Sequence, residues 1–257
     1  MARREHFGPL RVQRDLYPEG EATCHTIIVH PPGGIAGGDA LTLNARLGDG
    51  SAALLTTPGA GKWYRTVGPV ARQSLNFELG AGAVLEWLPQ EGIVFNGAVA
   101  ETATTVRLQA DALYLGWDVV CFGRAASGER FASGSFSTRT EIFCEGRRLW
   151  LEQGRMQGSD PLFDSPLGMA GHSVCGTLLA AGRLPDGEAG RELLAACRRV
   201  GVDKAALAGV TRLPGVLIAR WLGDSAEDAR AYFAEVWAKL RPALKKVPAL
   251  APRIWAT

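Results

Sequence analysis

Acidic side chains set inside apolar runs are the residues of this sequence best placed for chemistry. Asp118 lies within Trp117-Asp118-Val119-Val120-Cys121, Glu152 ends Leu149-Trp150-Leu151-Glu152, and Glu86 interrupts Val84-Leu85-Glu86-Trp87-Leu88. A carboxylate taken into a core is costly unless it is paired, hydrogen-bonded or hydrated. Each of these acids therefore faces solvent, meets an arginine such as Arg124, Arg147 or Arg155, or lines a polar, water-filled passage through the scaffold. Oxygen ligands without a tight cage would hold a divalent ion weakly, as a transfer route requires. Asp39, directly after a glycine-rich run, joins Asp118 and Glu152 as a polar station on such a route.

Other motifs promise chemistry and fail on spacing. In Gly33-Gly34-Ile35-Ala36-Gly37-Gly38 the middle glycine of a dinucleotide fingerprint would fall on Ile35 or Ala36, and an alternating strand follows instead of a helix. A glycine-rich turn after a strand is expected. Gly59-Ala60-Gly61-Lys62 invites a phosphate-loop reading, but Thr56 stands where the first glycine belongs and Trp63 where a magnesium-binding hydroxyl belongs. In Cys24-His25-Thr26-Ile27-Ile28-Val29-His30 the odd separation puts His25 and His30 on opposite faces of an extended strand, so one ion cannot take both without a bulge. A structural role is expected for each, with transient contact to an imidazole-loving metal as the lesser reading. No GxSxG elbow or Cys/His nucleophile context occurs, so no catalytic residue is expected.

The elements that must position these residues are mostly strands. From about residue 22 to 180 the period is two: Leu41, Leu43, Ala45 and Leu47 alternate with Thr42, Asn44 and Arg46, and Leu75, Phe77 and Leu79 with Ser74, Asn76 and Glu78. Turn signals such as Gly48-Asp49-Gly50, Gly80-Ala81-Gly82, Asn96-Gly97 and Glu145-Gly146 recur at roughly ten-residue intervals, as in a sandwich, barrel or β-solenoid. No exact repeat marks a regular β-helix. Two helices are expected late. One is capped by Asp186, carries Leu193, Ala196, Cys197 and Val200, and stops at Gly201. The other, over residues 225–241, has an apolar stripe of Ala229, Tyr232, Phe233, Val236, Trp237 and Leu240, a capping box at Ser225 and Asp228, and a limit at Pro242. A buried strand over residues 215–221 separates them. Trp63, Tyr64, Trp87, Phe95 and Trp117 are expected mostly in the core, with some available to a partner surface.

Composition narrows the class. The chain has 257 residues, 47% hydrophobic and 21% charged, with a net charge of +2. That balance fits a globular protein and gives no field for nucleic acid or an anionic membrane. The 32 glycines fit many tight turns. Five scattered cysteines without a CxxC argue against a disulfide framework or a zinc knuckle and for a reducing, cytoplasmic setting. No apolar run approaches the ~18 residues of a membrane span. One domain over residues 1–257 is expected.

Several stretches together resemble the urease accessory protein D family. They include His6-Phe7-Gly8-Pro9-Leu10, His30-Pro31-Pro32-Gly33-Gly34-Ile35-Ala36-Gly37-Gly38-Asp39, Leu55-Thr56-Thr57-Pro58-Gly59-Ala60, Leu85-Glu86-Trp87-Leu88-Pro89-Gln90-Glu91, Gly116-Trp117-Asp118, Arg212-Leu213-Pro214-Gly215 and Pro252-Arg253-Ile254-Trp255. The likeness implies a mainly β fold, an irregular β-helix-like stack of sheets, here expected to include stacked antiparallel sheets, with two C-terminal α-helices. It implies a non-enzymatic, cytoplasmic scaffold for urease maturation that works with accessory protein F, the accessory GTPase G and apo-urease subunits. No cofactor is expected to bind tightly; nickel passes in transit, with Asp39, Asp118 and Glu152 on its route. Residues 33–39 and 225–241 are expected partner surfaces. Members usually carry a strand-forming stretch ahead of the His-Phe-Gly-Pro segment, which is expected to be short or missing here, and Gly61 and Trp63 depart from the residues common in the family. The competing expectation is a β-solenoid hydrolase or transferase, which would need a clustered nucleophile and base or a carboxylate pair in a cleft. A divalent-metal store is weaker, because four histidines without a Cys/His cluster would not hold metal tightly.

Overall fold

The computed structural model describes residues 3–256. The period-two segments form strands that wind as a coil. Within it, β2 (Cys24–Val29), β4 (Ala52–Thr56), β7 (Val84–Trp87) and β10 (Leu113–Phe122) stack in parallel in one sheet. Between them the chain crosses to a second sheet, where β3 (Ala40–Leu47), β6 (Ala71–Leu79), β9 (Val99–Leu108) and β11 (Ser135–Cys144) also stack in parallel. A short ribbon, β5 (Gly61–Trp63) beside β8 (Gly92–Val94), extends from β10. Antiparallel strands finish both sheets. β12 (Arg147–Gln157) is the edge beside β11, and β13 (Val174–Gly182), β15 (Val216–Gly223) and β14 (Leu207–Leu213) continue from β10. β1 (Arg11–Val12) pairs antiparallel with β2 at the far end. The fold is the expected mainly β stack, with the coil itself parallel and the antiparallel pairs at its flanks.

Local chemistry sets the corners. Gly50 and Gly82 occupy equivalent corners of successive turns with φ of 65° and 68°, and Asp111 holds the next corner at φ 59°. Only glycine, or an Asp or Asn, accepts that left-handed geometry cheaply. The corners lock to one another: the Gly50 amide donates to the Ala81 carbonyl at 2.8 Å and the Gly82 amide to the Ala110 carbonyl at 3.0 Å. Residues 33–38 form the expected turn between β2 and β3, and Gly61 and Lys62 lie in strand β5, with no helix start for a phosphate.

Two helices cover the outer face of the larger sheet. α1 (Gly187–Arg198) buries Leu193 and Cys197. Asp186 precedes it, but its carboxylate receives Arg212 and makes no capping bond. α2 (Ala226–Lys245) begins as expected, with the Ser225 hydroxyl accepting the Asp228 amide at 3.1 Å. It does not stop at Pro242: the helix runs on to Lys245 and closes at Lys246 in the left-handed conformation, φ 63°. A proline in a helix interior forfeits one hydrogen bond, and here the burial of Leu240, Arg241 and Leu244 on either side outweighs that loss.

Three apolar clusters result. Trp117, Leu178, Phe233 and Trp237 anchor the one between the larger sheet and the helices. Between the two sheets, Phe77, Leu85, Val106 and Tyr114 fill one end, and Trp63, Phe122, Phe136 and Met169 fill the other.

Candidate functional site

The space between those two inter-sheet clusters is a cavity of about 780 Å³. Register builds its walls. On the smaller sheet one row runs Leu43, Leu75, Thr104, Thr140 and Glu152, and the next runs Leu41, Gln73, Thr102, Thr138 and Gly154. Inward positions that are apolar on the first strands thus become hydroxyl and carboxylate on the later ones. On the larger sheet, Asp118, Thr177 and Arg220 are aligned neighbours on β10, β13 and β15. All of these side chains line the cavity.

Asp118 is open to this cavity while protein surrounds it. Its pKa is pushed up to about 6, first by desolvation and then by the nearby Glu152 charge, against one backbone hydrogen bond from Val119. The Tyr114 phenol, at the same wall, is also raised, by burial and then by Asp118. Gly116 makes this packing possible, because a Cβ there would strike the Tyr114 phenol. Glu152 meets Arg220, with Nη1 to Oε1 at 2.7 Å, and the same Nη1 donates to the Thr177 hydroxyl at 3.2 Å. Glu91, further along the lining, lies 2.9 Å from Arg230 of α2. The Cys175 thiol faces the cavity with a pKa raised to about 12 by burial and by the Asp118 charge.

Two of the three acids picked from sequence therefore come together, and the third does not join them. Asp39 is exposed in the turn after the glycine run, where its Oδ2 accepts the Ala36 amide at 2.8 Å. Burial holds the pKa of His30 below its usual value, and the nearby Asp39 charge opposes that shift. His30 itself lines the cavity, and His25 does not: its Nε2 lies 2.6 Å from Glu19 Oε1. Among the described residues no three His, Cys, Asp or Glu side chains converge as a metal cage.

None of the arginines expected as partners serves Glu86 or Glu152. Arg124 pairs with Glu129, and Glu86 meets Arg241 at 2.9 Å and the Trp237 indole N–H at 2.7 Å. The residues that sequence reasoning missed are Thr102, Thr104, Thr138, Thr140, Thr177 and Arg220. A signal existed for the first four: the inward positions of β9 read Ala100, Thr102, Thr104, Val106 and Leu108, and those of β11 read Phe136, Thr138, Thr140 and Ile142, each a hydroxyl pair in an otherwise apolar row. Nothing local marked Arg220. Among the described residues one Ser/His/Asp group is of note, and it is not wired as a Ser–His–Asp relay. His172 Nδ1 lies 2.9 Å from Asp224, but the Ser173 hydroxyl also donates to Asp224, at 3.2 Å, so the serine meets the carboxylate and not the imidazole.

Comparison with known proteins identifies the family. The family model for the UreD urease accessory protein matches residues 1–256. The urease accessory protein UreD of Dechloromonas aromatica (strain RCB) is 55% identical over 253 residues, covering 98% of this chain and 87% of its own length. Its namesake from Janthinobacterium sp. (strain Marseille) is 50% identical over 257 residues, covering 100% of this chain and 86% of its own length. With a full-length family match and identity of this order, the chain with the threonine- and carboxylate-lined cavity belongs to the UreD family of urease accessory proteins.

Proposed function

We propose that this chain is a scaffold for urease maturation whose inter-sheet cavity carries nickel toward apo-urease. It works in the cytoplasm in a complex with accessory protein F and the accessory GTPase G, and it catalyses no reaction itself. The observation that carries this reading is the hydroxyl- and carboxylate-lined space between the sheets, with Asp118 and Glu152 on facing walls. Two carboxylates and a ring of hydroxyls supply hard oxygen donors. They would replace part of the hydration of a divalent ion without caging it, so the cargo can leave. Asp39, outside the cavity, would act on the approach by its charge near His30.

The test is nickel loading. Urease co-expressed with the Asp118→Ala/Glu152→Ala variant is expected to carry several-fold less nickel per subunit than with the unaltered chain, and Asp39→Ala is expected to have the smaller effect. Full nickel content with both cavity acids removed would end the route hypothesis. The scaffold reading has its own test. Affinity capture of the chain from cells expressing the urease operon is expected to recover accessory F and urease subunits, and failure to recover either would count against it.

A further inference from the structure

Arg220 is the cationic side chain aligned with Asp118 and Thr177 across three neighbouring strands. It reaches from the larger sheet to Glu152 on β12, the free edge of the smaller sheet. The pair thus spans the gap between the sheets at the end where the parallel coil has finished. Leu207 and Gly209 of β14, the last strand of the larger sheet, line the cavity beside it. Both partners keep some access to solvent, 53% for the Arg220 side chain and 27% for Glu152, so the contact is not sealed in a core. A guanidinium offers five donors, and the contacts to Glu152 and Thr177 engage one of its terminal nitrogens. A contact of this kind can open at little cost. It leaves the cavity with a fixed positive charge against one of its two facing carboxylates.

We propose that Arg220 is a charge gate: paired to Glu152, it closes this end of the cavity to cations, and a cation enters or leaves only when Arg220 swings off. For nickel the proposal rests on the transport reading above; the gating of charge does not. A guanidinium and a divalent ion compete for the same Glu152 oxygens, so the resting chain would be protected from loading by stray cations. Release would follow when a carboxylate on a docked partner draws Arg220 away.

Cys175 provides a reporter inside the cavity that needs no nickel. The experiment follows its modification by a cationic and by a neutral methanethiosulfonate reagent, resolved from the other cysteines by peptide mass spectrometry. It uses the full chain purified from cells that co-express the urease operon. Arg220→Gln is expected to raise the cationic rate about fivefold relative to the neutral one, the effect of removing one unit charge a few ångströms away in a hydrated space. Glu152→Gln removes the anion but keeps the arginine, which the Thr177 hydroxyl and the glutamine carbonyl still hold across the opening, so the relative cationic rate is expected to stay at or below that of the unaltered chain. Arg220→Lys, which keeps the charge, is expected to behave like the unaltered chain. If Arg220→Gln and Glu152→Gln accelerate labelling alike, the pair is only a strut and the gate is refuted. An unchanged cationic rate in Arg220→Gln refutes it equally. Nickel content of urease co-expressed with Asp118→Ala/Glu152→Ala separates the two readings: a raised cationic rate in Arg220→Gln together with full nickel content in that double variant keeps the gate and removes the nickel route.

Discussion

Glu86 and Asp118 look alike in the sequence, each a single acid in an apolar strand, yet the fold treats them in opposite ways. Glu86 is 2% exposed and is enclosed by Arg241, Trp237 and Lys245, all from α2. Arg241, 1% exposed, also pairs with both carboxylate oxygens of Glu19, whose Oε1 meets His25 Nε2 as well. Burial alone would raise the Glu19 carboxyl, but hydrogen bonds from Arg241 and His25 outweigh it and hold its pKa below the usual range. This network fastens the last helix to the first turns of the coil. Asp118 has no such cation, and its pKa rises. The lesson is that the partner, and not burial alone, decides whether an inward carboxylate is tied into the packing or left facing an open space.

The comparison can be broken most forcefully at Arg241. Arg241→Leu strips the network of its shared cation and leaves Glu86 and Glu19 buried against each other's charge. A loss of about 3–5 kcal/mol in unfolding free energy is expected, read by denaturant titration. A loss no greater than that of an average surface change would show that the network is not what fastens α2.

Asp118→Asn should act in the other direction. An acid whose pKa is raised to about 6 binds its proton more readily in the folded chain than in the unfolded one. Its stabilising contribution is present below the ordinary carboxylate range and is lost as pH rises through 6. The asparagine variant should lack that decline and gain about 1 kcal/mol at neutral pH, a figure kept low because cavity water screens the charge. A thermal melt series from pH 4 to 8 measures it. Glu19 gives the opposite slope: its contribution is present above the ordinary carboxylate value and is lost as pH falls through its lowered pKa. In Arg241→Leu that acid-side loss should shrink.

Two smaller changes sharpen the scale. Ser225→Ala removes the hydroxyl that caps α2 and should cost about 1 kcal/mol without touching the network. Glu101→Ala breaks an exposed pair with Arg72 on the outer face of the smaller sheet and should cost less than about 0.5 kcal/mol. If the surface pair proved as valuable as the buried network, the contrast between the two carboxylates would lose its meaning.

Much of the fold was legible in the sequence because its causes are local. Alternation in Leu41 to Leu47 and Leu75 to Leu79 places the right side chains inward, the glycine corners turn the coil, and Ser225 starts the second helix where its hydroxyl can cap it. The polarity of the interior was half legible: an acid in an apolar run announces a problem, and Asp118 and Glu152 were found that way. The solution to that problem was not. Glu86 finds Arg241 at a separation of 155 residues, and Glu152 finds Arg220 on the opposite sheet. Pro242 signals a stop that buried neighbours override. Sequence by itself determined which side chains point inward, because a strand's alternation and a corner's φ depend on a few adjacent residues. Only the tertiary structure decided which inward charges meet and which face an open space, because that depends on the register of strands that the chain brings together from far apart.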